Sequence, residues 1–179
     1  HCRRSCGYCG LRAGNRRLTR YRLDDATIRA CAREAQALGY GTVVLQAGED
    51  PAFDRDRVAD LVRAIKDDTG LAVTLSLGER DEDELVAWRA AGADRYLLRF
   101  ETADPVLYAR IHPPAPGREA VDRQDLLRRL HGMGYEVGSG IMLGIPGQEV
   151  DDLARSIALF AEIGLHMVGV GPYIPHPDT

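Results

Sequence analysis

Short apolar runs alternate along the chain with longer stretches in which apolar positions recur every three or four residues. The runs TVVLQAG (42–48), LAVTLSLG (71–78), RYLLRFE (95–101), EVGSGIMLG (136–144) and MVGVGPYIP (167–175) predict five strands. The intervening periodicity predicts helices. Asp24 and Asp25 can cap one whose Ile28, Cys31, Ala35 and Leu38 share a face and which Gly39 ends, with Cys31 read as a buried core thiol. Val58, Leu61, Val62 and Ile65 mark a second; Leu85, Val86 and Trp88 a third; Leu126, Leu127 and Leu130 a fourth; Leu153, Ile157 and Phe160 a fifth. HPPAPG (112–117) reads as a loop, and His112, His131 and His166 as surface or capping residues.

Alternating strand and helix means parallel strands joined by crossover helices. The polar residues inside the strands choose between an open sheet and a barrel. Val73, Leu75 and Leu77 point to one side and Thr74 and Ser76 to the other; Leu97, Arg99 and Glu101 share a side. An arginine and a glutamate facing inward at a strand's carboxyl end are costly unless paired or bound to something. No G-x-G-x-x-G follows any strand, which speaks against a dinucleotide fold. The expected class is α/β: a partial (β/α) TIM-type barrel of parallel strands.

At 179 residues, the chain can form one domain, 1–179, around one core. Its 45% hydrophobic and 28% charged content is that of a globular protein. A net charge of −4 gives no footprint for nucleic acid, and no apolar run is long enough to span a bilayer. Clustered thiols without a secretory signal point to a reducing, cytoplasmic setting. The start at His1 and the end at PHPDT read as those of a piece truncated from a longer protein.

Three of the four cysteines stand within eight positions, as Cys2-x3-Cys6-x2-Cys9. Structural zinc usually takes four ligands arriving as two separated pairs, and no second pair follows here. Three thiolates on one loop suit a 4Fe–4S cluster with one iron left open to a ligand. A zinc-binding or non-catalytic iron–sulfur scaffold stays open as an alternative.

With Tyr8 just before the last cysteine, the motif resembles the radical S-adenosylmethionine superfamily. CGYCGLRAGN, RYRL, LQAGEDP, LRFETADP, GYEVGSGIMLGIPGQ and GPYIPHPDT, in that order, resemble its HydE-type branch of FeFe-hydrogenase maturases; biotin synthase and methylornithine synthase are relatives with the same cluster motif. The resemblance implies a radical enzyme core that binds a 4Fe–4S cluster through Cys2, Cys6 and Cys9 and cleaves S-adenosylmethionine reductively. It implies cofactor contacts from Tyr8, from Ala47, Gly48 and Glu49 (where the superfamily has Gly-Gly-Glu), from Glu101 to the ribose, from Arg123 to the carboxylate, and from Met142 and Leu143 beside the adenine. Without it, Arg123 reads as an exposed helix charge. The resemblance also places Gln46, Thr74 and Arg99 deeper, against a small-molecule or iron-complex substrate. Other hydrogenase maturases are the implied partners. The basic run Arg12, Arg16, Arg17 and Arg20 reads as a solvated face or as a docking site for an acidic flavodoxin or ferredoxin. His176 is a further candidate for lining the lumen.

Overall fold

In the computed structural model, which describes residues 1–179, five strands form one sheet. They are β1 (Thr42–Gln46), β2 (Ala72–Ser76), β3 (Arg95–Leu97), β4 (Glu136–Leu143) and β5 (Met167–Pro172). All neighbours are parallel and the order is β1-β2-β3-β4-β5. An open doubly wound sheet reverses its strand order at a switch point; this one never does. Right-handed crossovers then keep every helix on one face, and the twisted sheet curls into a half-barrel. The helices are α1 (Asp25–Ala37), α2 (Arg55–Asp68), α3 (Glu82–Ala90), α4 (Pro105–Ile111), α5 (Arg123–Gly132) and α6 (Val150–Ile163).

Local chemistry sets where the helices begin. The side chains of Asp24, Asp54, Asp104 and Asp122 accept hydrogen bonds from first-turn N–H groups. Asp81 with Glu84, and Glu149 with Asp152, form reciprocal capping boxes. The core lies between sheet and helices. Val73, Leu75, Tyr96, Phe100, Val137 and Ile141 leave the sheet on that side and are fully buried against Val62, Ile65, Leu85, Trp88, Leu127 and Leu130. The opposite set (Thr74 and Ser76; Leu97, Arg99 and Glu101; Gly138, Gly140 and Met142) faces the concave side, as the period-two reading predicts.

Four details differ from the sequence reading. Helix α4 falls in a segment given no element, although Asp104 caps it and Pro105 supplies the fixed φ of a first turn. Cys31 is exposed, and the buried residue of α1 is Ala32. Val86 and Ile157 also point to solvent. In addition, His112 is buried, so the surface half of its reading fails, while the capping half holds: it is the C-cap of α4. The exposure of Cys31 has a simple cause: α1 packs at the β1 edge, where no further element of this chain covers it, just as Val168 and Val170 on the β5 edge lie open.

Trp88 has no exposed surface and donates its indole N–H to the Arg55 carbonyl at 2.9 Å. Replacing Trp88 with Ala is expected to lower the unfolding free energy by about 3–5 kcal/mol in urea titration; a loss below about 1 kcal/mol is not compatible with this packing.

Candidate functional site

The carboxyl ends of the strands and the loops beyond them gather the polar residues that the core excludes. The cysteine loop is seated there by backbone bonds: Arg3 N–H donates to the Glu49 carbonyl (3.1 Å), Gly7 N–H to the Ile111 carbonyl (2.9 Å), and Ala13 N–H to the Arg4 carbonyl (2.7 Å). Gly48 permits this contact, because a Cβ there would collide with the His1 carbonyl and the Cys2 side chain. Ala47, beside it, continues the β1–β2 ladder by donating its N–H to the Ser76 carbonyl at 3.2 Å.

Beneath the loop lies a buried ion network. Glu79 receives Arg4 Nη1 on one oxygen (2.6 Å) and Arg123 Nε on the other (2.8 Å). All three side chains are at most 7% exposed. Glu49, also buried, accepts the Glu79 N–H at 3.0 Å and lies 3.6 Å from Arg3 and 3.9 Å from Arg4. Arg123 is therefore not an exposed helix charge. Its Nη1 donates to the Arg99 carbonyl (2.6 Å) and to His112 Nε2 (3.0 Å), and its Nη2 makes no bond to protein. Burial opposes its charge, but Tyr8, Glu79 and Tyr108 around it hold it firmly protonated.

Arg99 and Glu101 meet as a two-point fork, Nε to Oε1 at 2.8 Å and Nη2 to Oε2 at 3.0 Å. Arg99 Nη2 also reaches the Ile141 carbonyl at 2.7 Å, while Nη1 has no protein partner. The guanidinium lies over Gly140 and Gly169, and a Cβ on Gly169 would come within 2.9 Å of Nη1. Glu101 is the one non-glycine residue with positive φ, at 65°. Its N–H and carbonyl bond the Gly140 carbonyl (3.0 Å) and Met142 N–H (3.2 Å), so β4 holds it in a conformation that ordinary residues avoid.

The remaining candidates separate. Tyr8 and Met142 come together with Leu107, Ile111 and Ile145 in a small apolar cluster beside the cysteine loop. Leu143, one residue on, is 39% exposed and outside it. Thr74 is buried on the concave face, whereas Gln46 is exposed and lines a cavity of about 450 Å³ along the open β1 edge, with Ala47 and Gly48. His176 packs against Gly10 of the cysteine loop. Arg20 is not a free surface charge: it donates to the carbonyls of Leu11, Arg12 and Asn15 and closes its own loop. Arg17 pairs on the surface with Asp178 at 3.1 Å. Sequence reading gave no role to Arg4 or Glu79, and to His112 only a surface or capping one. The partners of the first two lie 75 and 44 residues apart along the chain, so no local pattern marks them.

All four cysteines are free thiols; in the loop Cys6 is buried and Cys2 and Cys9 are half-buried. Arg4 N–H donates to Cys2 Sγ at 3.4 Å. Cys6 is 7% exposed; burial pushes its thiol up, while the charges of Arg123 and Arg4 pull the other way. No three His, Cys, Asp or Glu side chains converge as they would on a single ion. A cuboidal cluster takes each thiolate at a different corner and needs no such common point. Arg3, Arg4 and Arg12 each bury an Nε with no hydrogen-bond partner. The first two face the Glu49 carboxylate at 3.6 and 3.9 Å. The charges of Arg123 and Arg4 act on Cys6, and buried cations beside soft thiolates fit a bound anionic iron–sulfur group. In the metal-free protein, alkylation followed by mass spectrometry is expected to label Cys31 first and Cys6 last. Faster labelling of Cys6 than of Cys31 is incompatible with the seated loop.

Comparison with known proteins agrees with this arrangement. Residues 1–160 match the model of the Radical SAM superfamily. The chain is 48% identical over 178 residues to the FeFe hydrogenase maturase subunit HydE of Thermotoga maritima, across 99% of this chain and 50% of that protein. It is 28% identical to the 3-methylornithine synthase of Methanosarcina acetivorans, across 100% of this chain and 50% of that one. The crystal structure of methylornithine synthase (PylB) superposes with a TM-score of 0.90 at 29% identity, over 100% of this chain and 52% of that chain. The maturase HydG shares the fold, at 0.79 and 22% identity, over 99% and 42%. The chain thus spans about half the length of the curated relatives it matches. It belongs to the radical SAM superfamily, whose members use a 4Fe–4S cluster and S-adenosylmethionine.

Proposed function

We propose that this chain is the cluster-bearing core of a HydE-type radical enzyme that acts in building the FeFe-hydrogenase active site. The observation that carries the reading is the 48% identity to HydE along 99% of the chain, which takes in both the cysteine loop and the buried arginines beneath it. Cys2, Cys6 and Cys9 would hold the cluster, which would supply the electron for reductive cleavage of S-adenosylmethionine. Everything else falls to the protein.

Arg123 offers its open Nη2 edge to the methionyl carboxylate, already oriented by Glu79, the Arg99 carbonyl and His112. Ala47, Gly48 and Glu49 lie where backbone carbonyls receive the amino group. Glu101 accepts from the ribose hydroxyls, and its fixed φ keeps the carboxylate aimed while Arg99 balances its charge. Tyr8 and Met142 provide an apolar wall for the adenine, with Leu143 at its outer rim. Deeper in, Arg99 presents Nη1 over a glycine floor to an anionic or iron-complex substrate, with Thr74 on the same concave face; Gln46, exposed at the β1 edge, is not part of that floor. Preorientation of Arg99 and Arg123 means little reorganisation is needed when anions arrive. Other maturases supply and receive the iron complex. An acidic flavodoxin or ferredoxin supplies electrons through the face that carries Arg12, Arg16 and Arg17.

A second reading, a carbon-skeleton mutase of the methylornithine synthase type, draws on the close superposition with PylB. Restoration of hydrogenase activity in maturase-deficient extracts supports the first reading; methylornithine formation supports the second. The whole protein, reconstituted anaerobically, is expected to hold about four iron and four sulfide per chain and to release 5′-deoxyadenosine on reduction. Cys6→Ala abolishes both. Binding of about one zinc with no deoxyadenosine is the result that defeats the proposal. Arg123→Met is expected to weaken S-adenosylmethionine binding roughly 10- to 100-fold at unchanged iron content, as a charged hydrogen bond is worth about 1.5–3 kcal/mol.

A further inference from the structure

His112 caps the last turn of α4 and is 3% exposed. Its ring stacks on Tyr108, with centroids 4.6 Å apart and planes at 30°, and takes Tyr8 edge-on at 5.3 Å. Its Nε2 lies 2.9 Å from the Tyr8 hydroxyl and 3.0 Å from Arg123 Nη1. A guanidinium has only donors, so Nε2 must be the bare acceptor and the proton must sit on Nδ1. Burial, reinforced by Arg123 and Arg4, holds the imidazole neutral, with a pKa pushed down to about 2. The Tyr108 carbonyl, beside the protonated Nδ1, offsets these effects only in part. The tautomer is imposed from the Nε2 side.

What Nε2 joins gives the ring a purpose. Tyr8 belongs to the cysteine loop, two residues after Cys6 and one before Cys9. Arg123 opens α5. The residue before His112 holds the same loop, since the Ile111 carbonyl accepts the Gly7 N–H at 2.9 Å. The end of α4 is thus a bracket between loop and arginine.

We propose that His112 is a positioning residue that fixes Tyr8 and Arg123 in register through its unprotonated Nε2, setting the distance from the cysteine loop to the arginine that meets the cofactor carboxylate. The proposal rests on the functional reading above, and its test separates the two. His112→Phe keeps the stacking on Tyr108 and removes the acceptor; His112→Gln restores an acceptor at a similar reach.

In the reconstituted whole protein, His112→Phe is expected to raise the dissociation constant for S-adenosylmethionine about tenfold with iron and sulfide content unchanged. It should also alter the change in the reduced cluster's EPR spectrum caused by the cofactor. His112→Gln should recover most of the affinity, and Tyr8→Phe should add little loss on top of His112→Phe. Wild-type affinity in His112→Phe, or losses that add fully in the double variant, overturn the proposal. Should His112→Phe fail to fold, Tyr8→Phe alone decides: it removes one hydroxyl and must itself weaken cofactor binding. A second readout needs no cluster. Nitrogen-15 NMR of the metal-free protein is expected to show His112 with Nε2 bare and the proton on Nδ1; the opposite tautomer overturns the proposal even if the functional reading stands. Failure of the wild-type protein to bind cluster and cofactor, with the expected tautomer present, strikes the functional reading instead.

Discussion

One buried carboxylate organises the active end of this half-barrel. Glu79, just past β2, takes Arg4 of the cysteine loop on one oxygen and Arg123 of α5 on the other. Three charges removed from water are tolerable only because each is paired, with Glu49 close enough to Arg4 to balance the second arginine. Taking one member out of such a network leaves an uncompensated charge, a loss of about 3–5 kcal/mol in comparable cases. Glu79 is therefore a poor choice for stability alone and a good one for fixing geometry. The loop, the sheet end and the first turn of α5 cannot shift independently while it is in place.

The second fork, Arg99 with Glu101, repeats the device nearer the lumen. Here the backbone contributes as well. Glu101 is held at positive φ by β4, and Gly140 and Gly169 clear the space in which Arg99 lies. Between the two forks, the Arg99 carbonyl accepts from Arg123, so both belong to one chain of hydrogen bonds. The free edges, Nη1 of Arg99 and Nη2 of Arg123, belong to the two ends of that chain.

Much of this was legible in the sequence, for identifiable reasons. Period-two alternation placed Arg99 and Glu101 on the concave face, although β3 itself ends at Leu97 and Glu101 is held there by its bridge to β4. Alternation of strand with helix gave the parallel order, and the absence of a glycine fingerprint favoured the barrel. The cysteines were visible by spacing alone. Glu79, Arg4 and His112 were not, since each acquires its role from a partner 44 to 104 residues away. His112 stands at the head of a proline-rich loop, which disguised a buried residue as a surface one. Helix α4 is seven residues long, too short for periodicity to reveal. Cys31 and Ile157 show the converse limit: apolar spacing marks a face but not whether anything covers it.

The central claim is that the Glu79 network, and not the sheet alone, holds the cysteine loop over the mouth. Native-state amide hydrogen exchange in Glu79→Gln, which preserves size while removing the charge, tests it most directly. The account predicts faster exchange at Gly7, Cys9 and Ala13, whose N–H groups are hydrogen-bonded in the seated loop, with protection in β2 through β4 unchanged. Loop protection equal to wild type contradicts it.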